Sequence, residues 1–193
     1  MCCGVGKKVN RIAIVSEFIY KFNQLFRNFV KMAQMEYRTG LGYDIHRLEE
    51  GLSLTLGGVK IPHTKGCVAH SDGDVVLHAL CDALLGSLAL GDIGQHFPDT
   101  SDEFKGIDSR ILLSRVVKML SDRGWRLVNA DIMLLMQRPK IAPFIPQMRA
   151  SIAEVIGCET DRISIKATTT EGLGPIGHEE GVSAFATVTV SAL

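Results

Sequence analysis

The sequence predicts a single α+β domain in which helices gather on one face of a mixed, four-stranded-type sheet. Three observations predict this fold. Extended and helical segments follow one another in the order ββααβαββ from residue 36 onward. No internal repeat or linker divides them. A length of 193 residues, with 46% hydrophobic and 22% charged residues, suits one domain with a substantial core.

The first 34 residues differ from the rest of the chain in charge. They carry six basic residues against one acidic residue, although the whole chain is formally neutral. Apolar side chains recur at helical spacing at Ile12, Val15, Ile19, Phe22, Phe26 and Phe29. This pattern fits a membrane-surface helix, an organelle transit peptide, or an extension ahead of a functional start near Met35. We favour the last and treat residues 1–34 as an extension and 35–193 as the domain.

Five extended segments are predicted in the domain. Residues 37–46 read as a strand, and residues 52–62 as a hairpin or bulge around Gly57 and Gly58. Residues 125–137, 163–169 and 182–193 read as further strands, the last with the most regular alternation.

Three helices are predicted between these strands. The first covers residues 71–90 and begins at a cap formed by Ser71 or Asp72. The second runs from near Asp108 to Gly124. The third covers residues 143–157, with prolines in its first turn and Gly157 at its end. Residues 91–106 are predicted to form a loop, because they are rich in glycine, proline and polar residues.

Composition excludes several classes of protein. The five cysteines form no C-x-x-C pair, so neither a disulfide framework nor a zinc finger is indicated, and a reducing compartment is expected. They are Cys2, Cys3, Cys67, Cys81 and Cys158. No apolar run approaches the roughly 20 residues that span a bilayer. Because residues 1–34 carry a net charge of +5 in a neutral chain, residues 35–193 carry −5. This negative charge favours a small-molecule enzyme over a nucleic-acid binder.

Asp44 and His46 form the first candidate site, because side chains two residues apart share one face of a strand. They could be a hydrogen-bonded polar pair or two ligands of a metal. His78 lies one helical turn from Asp74 and Asp82, and its apolar neighbours favour a polar cleft over bulk solvent. Asp44, His46 and His78 together would leave one coordination position open on zinc or another divalent ion.

Three further segments could contact a substrate. Residues 166–174, KATTTEGLG, offer hydroxyls for phosphate oxygens and Glu171 for a magnesium ion, or are an ordinary threonine-rich strand end. His70 and Ser71 would lie where a helix N-terminus presents free N–H groups to an anion. Residues 136–146, MQRPKIAPFIP, could read a base edge through backbone groups, although such spacing is unspecific.

Five segments, in unbroken order from about Tyr37 to the C-terminus, resemble the 2-C-methyl-D-erythritol 2,4-cyclodiphosphate synthase family. They are GYDIH, GGVKIPHTKGCVAHSDGDVVLHALCDALLGSLALGDIGQHFPDT, FKGIDSR, RPKIAPFIPQMR and SIKATTTEGLG. The resemblance implies a phosphorus-oxygen lyase of the methylerythritol phosphate route to isoprenoid precursors. Such an enzyme cyclises 4-diphosphocytidyl-2-C-methyl-D-erythritol 2-phosphate and releases CMP. The resemblance also implies a cytoplasmic homotrimer around a central cavity, with sites between subunits, or an organellar one if residues 1–34 are a transit peptide.

The resemblance also assigns roles to residues. Asp44, His46 and His78 would hold zinc or manganese, Glu171 would hold a second magnesium or manganese ion, and His70 and Thr169 would be catalytic. The substrate-binding set would be Asp44, Ile45, His46, His70, Ser71, Asp92, Ile93, Gly94, Phe97, Pro98, Asp99, Thr100, Ser101, Met136, Gln137, Arg138, Pro139, Lys140, Ile141, Ala142, Thr168, Thr169, Thr170, Glu171, Pro175 and His178.

Two positions depart from the family pattern. Pro175 and His178 stand where some members carry an aromatic residue and an arginine in the axial cavity, which holds isoprenoid diphosphates in those members. The sequence therefore leaves such an effector in question. Two rival functions use the same residues: a metal-dependent phosphohydrolase, and a trimeric nucleotide- or isoprenoid-binding module without turnover.

Overall fold

The computed structural model describes residues 17, 19–27 and 35–193. The chain divides into two compact units, Met1–Glu36 and Tyr37–Leu193. In the first unit, residues 17 and 19–27 are helical (α1) and expose Ile19, Phe22 and Phe26 of the predicted apolar stripe. The other members of the stripe lie outside the described residues. Among the helices that the structure describes, none has both the length and the apolarity to cross a membrane.

The second unit is built on a mixed sheet. Its strands are β1 (Tyr37–Glu50), β2 (Leu54–Leu56), β3 (Val59–Ile61), β4 (Lys65–Cys67), β5 (Trp125–Leu135), β6 (Ile163–Thr168) and β7 (Gly181–Ala192). Five of them form one sheet in the order β4-β1-β7-β5-β6, and β2 and β3 form a separate hairpin. β5 and β6 are parallel, whereas the other pairs of the sheet are antiparallel.

The second unit also contains helices. They are α2 (Val75–Ser87), α3 (Ile93–His96), α4 (Ser109–Ser121), α5 (Ile145–Ile156) and α6 (Gly174–Gly177). α2 packs on β1 and β7 with α4 beside it, and all its residues except Asp82 and Gly86 are buried. It is therefore the central helix of the core.

The other face of the sheet carries exposed apolar side chains. Leu41, Tyr43 and Ile45 of β1 and Phe185 of β7 are each between 41% and 68% exposed. Tyr43 lies opposite Phe185 in the register, and their ring centroids are 4.5 Å apart. The alternation of β1 thus gives the sheet one face packed on helices and one exposed apolar face.

The prediction of one α+β domain with a mixed sheet is confirmed, and four details of it are wrong. The sheet has five strands instead of four, because β4 was not predicted. Its three residues are too few for a periodic pattern. The loop predicted over residues 91–106 contains α3 and a 3-10 turn at Asp102–Phe104, and the short α6 was not predicted. The first helix is capped by Asp74 instead of Ser71 or Asp72. Gly73, at φ +72°, turns the chain immediately before that cap, so the helix begins later.

Candidate metal and substrate site

Close packing of α2 on β1 brings the candidate metal ligands together. Gly40 and Gly42 face α2, and a Cβ atom added at either would lie 1.9 Å from a backbone carbonyl of that helix. Only glycine permits this approach. Asp44 and His46 continue the same face of β1, so they meet His78 on the adjoining turns of α2.

The ligand atoms of these three residues converge on one point. His78 Nδ1 lies 3.0 Å from Asp44 Oδ2 and 3.1 Å from His46 Nε2, and His46 Nε2 lies 3.2 Å from Asp44 Oδ2. Atoms bonded to one tetrahedral zinc at about 2.0–2.1 Å lie about 3.3 Å apart. The cluster therefore has the donor set and the spacing that a divalent cation needs, and it could hold a metal ion.

The pKa shifts of Asp44 and His46 favour the protonation states in which these side chains bind a metal. Burial would raise the pKa of Asp44, but the hydrogen bond and charge of His78 and the charge of His46 lower it below its usual value. Burial lowers the pKa of His46, which favours the neutral imidazole that binds metals. Burial also opposes the charge of His78, yet its hydrogen bond to Asp44 raises its pKa. The Asp44 carboxylate thus stabilises a proton on His78 Nδ1. A cation that binds this nitrogen has to displace that proton.

The second nitrogen of His78 faces away from the cluster. His78 Nε2 lies 2.9 Å from Ser109 Oγ and 3.1 Å from Ser71 Oγ. Ser109 Oγ donates to Asp72 Oδ1 at 2.5 Å, and the Ser109 backbone N–H donates to Asp72 Oδ2 at 3.1 Å. The predicted polar cleft around His78 is therefore present.

The two acidic neighbours of His78 on α2 have other partners. Asp74 is fully buried, and its carboxylate accepts hydrogen bonds from the N–H groups of Gly57, Gly58, Val76 and Leu77. Burial raises its pKa to about 6, although these donors favour the carboxylate. Asp74 thus occupies two N–H groups at the start of α2, whereas anion binding by His70 and Ser71 stays a prediction.

An open cavity of about 490 Å³ adjoins the cluster of Asp44, His46 and His78. Its lining contains eleven predicted site residues: Asp44, His46, His70, Ser71, His78, Ile93, Gly94, Phe97, Pro98, Asp99 and Thr100. The apolar side chains of Phe104, Ile107 and Leu112 also line it. His70 Nε2 lies 3.1 Å from the Ser101 carbonyl, and the His70 carbonyl accepts the Gly106 N–H, so His70 is held to the segment around residues 101–106.

A carboxylate of α2 positions one wall of this cavity. Asp82 Oδ1 accepts the Ile93 N–H at 2.7 Å, which ties the start of α3 to the helix that carries His78. Asp92 accepts hydrogen bonds from the side chain and backbone N–H groups of Gln95, which lower its pKa. Asp92 lies beside the cavity and is exposed, whereas Ile93 and Gly94 line it.

The remaining predicted residues lie at the far edge of the sheet. Thr168–Glu171 and Met136–Ala142 follow the parallel ends of β6 and β5, and the Met136 N–H donates to the Thr168 carbonyl. The Thr169 hydroxyl donates to Glu171 Oε1 at 3.1 Å, and the Gly172 N–H donates to Gln137 Oε1. Both segments are mainly exposed, except for buried Met136 and Ile141. Within one chain, the structure does not bring these two segments to the cluster of Asp44, His46 and His78.

Pro175 and His178 line another open cavity with Ile45, beside the junction of α6 and β7. His178 Nδ1 lies 3.8 Å from Glu180 Oε1, and the adjoining Glu179 pairs with Arg138 at 3.4 Å. Acidic groups lie beside the histidine, and the same cavity is also lined by Arg47 and Lys65.

Sequence reasoning missed three residues that support the site. Ser109 contacts His78, Asp72 accepts hydrogen bonds from Ser109, and Asp82 accepts the Ile93 N–H. All three side chains are common at helix ends and surfaces, so no periodicity singles them out. The only signal was the concentration of carboxylates in SDGD and in the following helix.

Comparison with known proteins agrees with this geometry. The 2-C-methyl-D-erythritol 2,4-cyclodiphosphate synthase of Acinetobacter baumannii (strain SDF) is 61% identical over 156 residues, which cover 81% of this chain and 98% of that protein. The synthase of Syntrophomonas wolfei is 55% identical over 153 residues. A solved structure of such a synthase superposes with a TM-score of 0.73 at 42% identity, covering 78% of this chain and 98% of that one.

Two other solved structures extend the comparison. The CDP complex of IspF from Plasmodium falciparum is 34% identical and superposes with a TM-score of 0.71, covering 81% of this chain and 96% of that one. The bifunctional IspDF from Campylobacter jejuni superposes with a TM-score of 0.80 at 42% identity, and this chain spans 43% of it. The model of the YgbB family matches residues 37–191, and the chain belongs to that family.

Proposed function

We propose that the protein converts 4-diphosphocytidyl-2-C-methyl-D-erythritol 2-phosphate to 2-C-methyl-D-erythritol 2,4-cyclodiphosphate and CMP. In this reaction the 2-phosphate oxygen bonds to the β-phosphorus, the bond from that phosphorus to the CMP oxygen breaks, and an eight-membered ring closes. The observation that carries the proposal is the convergence of Asp44, His46 and His78 beside an open cavity, in a chain whose close relatives bear the name of this synthase. The reaction makes the protein a phosphorus-oxygen lyase.

Asp44, His46 and His78 are the residues that would hold a zinc or manganese ion. Their two imidazole nitrogens and one carboxylate oxygen suit either metal. Three protein ligands leave a coordination position for the substrate, which is the arrangement of catalytic sites. When bound there, the cation supplies charge stabilisation to the phosphate oxygens.

The protein's own groups would hold the reacting phosphates in position, which is the main requirement of phosphoryl transfer. His70 is half-buried in the wall of the cavity and is held to residue 101, so its ring is oriented before the substrate arrives. Apolar side chains such as Phe97 and Leu112 would exclude water from the reacting centre. Ile93 and Gly94 lie where they could contact the erythritol hydroxyls.

The second half of the site lies on another edge of the sheet. Ile45, Ser183, Leu135 and Thr168 are partners at one level across β1, β7, β5 and β6. Three strand spacings, a distance of about 14 Å, therefore separate β1, which carries Asp44 and His46, from the end of β6. We call the strand segment with Asp44 and His46 the metal edge and residues 168–171 the threonine turn. In the proposal, Thr169 stabilises the transition state, Glu171 holds a magnesium or manganese ion between the phosphates, and Met136–Ala142 receive cytidine. CDP complexes of related synthases support a cytidine pocket.

A homotrimer would bring the two parts of the site together. Each site would contain Asp44, His46 and His78 of one subunit and Thr169 and Glu171 of the next. The exposed apolar face of the sheet at Leu41, Tyr43, Ile45 and Phe185 supports such an assembly, since large apolar patches usually mark interfaces. Mixing two inactive variants tests it. If His78→Ala and Thr169→Val subunits assemble at random, about a quarter of the sites should contain both intact halves. A mixture no more active than the mean of its components would contradict shared sites.

Product analysis by mass spectrometry with the authentic substrate tests the reaction. The cyclase releases CMP and the cyclic diphosphate in equal amounts, whereas a phosphohydrolase releases inorganic phosphate and a binding module releases nothing. His78→Ala is the matched control, and elemental analysis should find that it has lost the tightly held metal. Full metal content in that variant would contradict the ligand assignment.

Binding of an isoprenoid diphosphate in an axial cavity stays a prediction. Glu180 beside His178 repels a diphosphate, so we expect weaker binding than in members with arginine at this position. Calorimetric titration of geranyl diphosphate into the parent protein and His178→Arg measures the difference. Equal affinity of both proteins would mean that residue 178 does not contact the diphosphate.

A further inference from the structure

We infer that Ser109 and Asp72 are positioning residues that fix the proton of His78 on Nε2 and so direct the Nδ1 lone pair toward the cation. The inference rests on the proposed metal site. It concerns residues outside the ligand set and outside the substrate-binding set.

The direction of the hydrogen bonds follows from the Asp72 carboxylate. A carboxylate only accepts, so the Ser109 hydroxyl must donate its one proton to Asp72 Oδ1, 2.5 Å away. The Ser109 oxygen then has only lone pairs to offer His78 Nε2, at 2.9 Å. That nitrogen must therefore carry the ring proton, and Nδ1 is left as the ligand atom.

The backbone holds this pair rigidly in place. The Ser109 N–H donates to Asp72 Oδ2 and the Asp72 N–H donates to the Ile107 carbonyl. Ser109 is fully buried at the first residue of α4. The ring of His78 is thus oriented by two segments that meet beside α2, and the geometry does not depend on a mobile surface side chain.

Ser71 is the competing partner of the same nitrogen. Its hydroxyl lies 3.1 Å from His78 Nε2, but no carboxylate contact fixes the direction of its proton. It lines the open cavity, where a substrate can compete for it. If Ser71 were the orienting group, its removal would matter at least as much as that of Ser109.

The test compares zinc affinity at pH 7.5, by competition with a chromophoric chelator, in the parent and four variants. Ser109→Ala removes the acceptor, and loss of such an outer partner typically weakens metal binding about 10- to 100-fold. Asp72→Asn should weaken it at least as much. The carboxylate accepts from the Ser109 N–H at Oδ2 and from the Ser109 hydroxyl and the Asp74 N–H at Oδ1, so an asparagine amide turns its NH₂ group toward at least one of these donors. Where the NH₂ group faces Ser109 Oγ, the hydroxyl donates to His78 Nε2 and drives the ring proton to Nδ1.

Two controls make the comparison specific. Ser114→Ala is the same substitution on an exposed position of α4 and should leave zinc affinity at the parent value. Ser71→Ala should lose less affinity than Ser109→Ala. Parental affinity in both Ser109→Ala and Asp72→Asn would overturn the inference, as would a larger loss in Ser71→Ala.

A spectroscopic measurement on the parent does not depend on any variant folding. Long-range ¹H–¹⁵N correlation spectra of the zinc-loaded protein should place the His78 proton on Nε2, and a proton on Nδ1 would overturn the inference. If the parent takes up no zinc, the metal site and the inference both fail. If it takes up zinc with the other tautomer, only the inference fails.

Discussion

Gly42→Ala should disable the metal site without touching a ligand. The added Cβ atom would lie 1.9 Å from the Ala79 carbonyl oxygen and 2.7 Å from the Ala83 nitrogen. Both contacts are backbone atoms of α2, so no flexible side chain can move aside. Ala79 follows His78 in the chain, and the clash therefore acts directly beside the ligand.

The structure gives the size of the effect. Because Cβ contacts are essentially never shorter than 3.0 Å, α2 must move away from β1 by at least about 1 Å in a densely packed core. Metal–ligand distances tolerate only about 0.2 Å. We expect zinc affinity to fall about 100-fold or more, as with a lost outer partner. Overpacking should also cost about 3 kcal/mol of unfolding free energy and lower Tm by roughly 6–12 °C.

Metal content and thermal unfolding measure the two effects, and Gly86→Ala is the matched control. Gly86 lies on the exposed side of α2, and an added Cβ there meets no atom within 4 Å. Alanine should stabilise the helix by up to about 1 kcal/mol at that position and leave zinc binding unchanged. A Gly42→Ala protein with parental zinc content and parental Tm would refute the close approach of α2 to β1.

Three further outcomes are expected. Thr169→Val should lose turnover by about 3 kcal/mol of barrier while CDP affinity changes much less, and equal losses in both would assign the hydroxyl to ground-state binding. Removal of residues 1–34 should leave activity and assembly unchanged in light scattering and activity assays, because the family model matches only residues 37–191; an inactive or monomeric product would make the extension structural. Asp108→Asn keeps a capping side chain for α4 but loses the charge whose hydrogen bond to Arg110 lowers the Asp108 pKa. The stability difference from the parent should be present at neutral pH and disappear as pH falls below the usual value of 3.8, and a difference that persists at lower pH would contradict that origin.

Periodicity and spacing predicted the parts of the molecule that depend on local sequence. The strand at 37–46 placed Asp44 and His46 on one face because alternation along a strand is fixed by the backbone. The helices ending near Gly124 and at Gly157 were found because capping and turn residues act within a few positions. His78 was singled out by its carboxylate neighbours on the helix, although its partners in the structure are Asp44, His46, Ser71 and Ser109.

The parts that failed depend on contacts between distant segments. Nothing local distinguishes Gly42 as the point where a helix carbonyl approaches, or Ser109 as a partner of a histidine 31 residues away. Asp74 was expected beside His78, yet it caps α2 and holds the turn at Gly57 and Gly58. A carboxylate can serve several N–H groups, and sequence spacing alone does not say which of them are near.

The proposal of a site shared between subunits rests on the distance between two groups of predicted residues on the sheet. Asp44 and His46 lie on the face of β1 that packs against α2, where His78 completes the cluster that could hold a metal ion. Thr169 and Glu171 follow the parallel ends of β5 and β6, where the chain leaves the sheet and the Thr169 hydroxyl donates to Glu171 Oε1. β7 and β5 stand between these two groups and are covered by helices on one side. In the proposed homotrimer, a substrate that contacts both a metal-bound phosphate and the threonine turn takes them from different subunits. Activity should accordingly depend on protein concentration wherever the assembly dissociates.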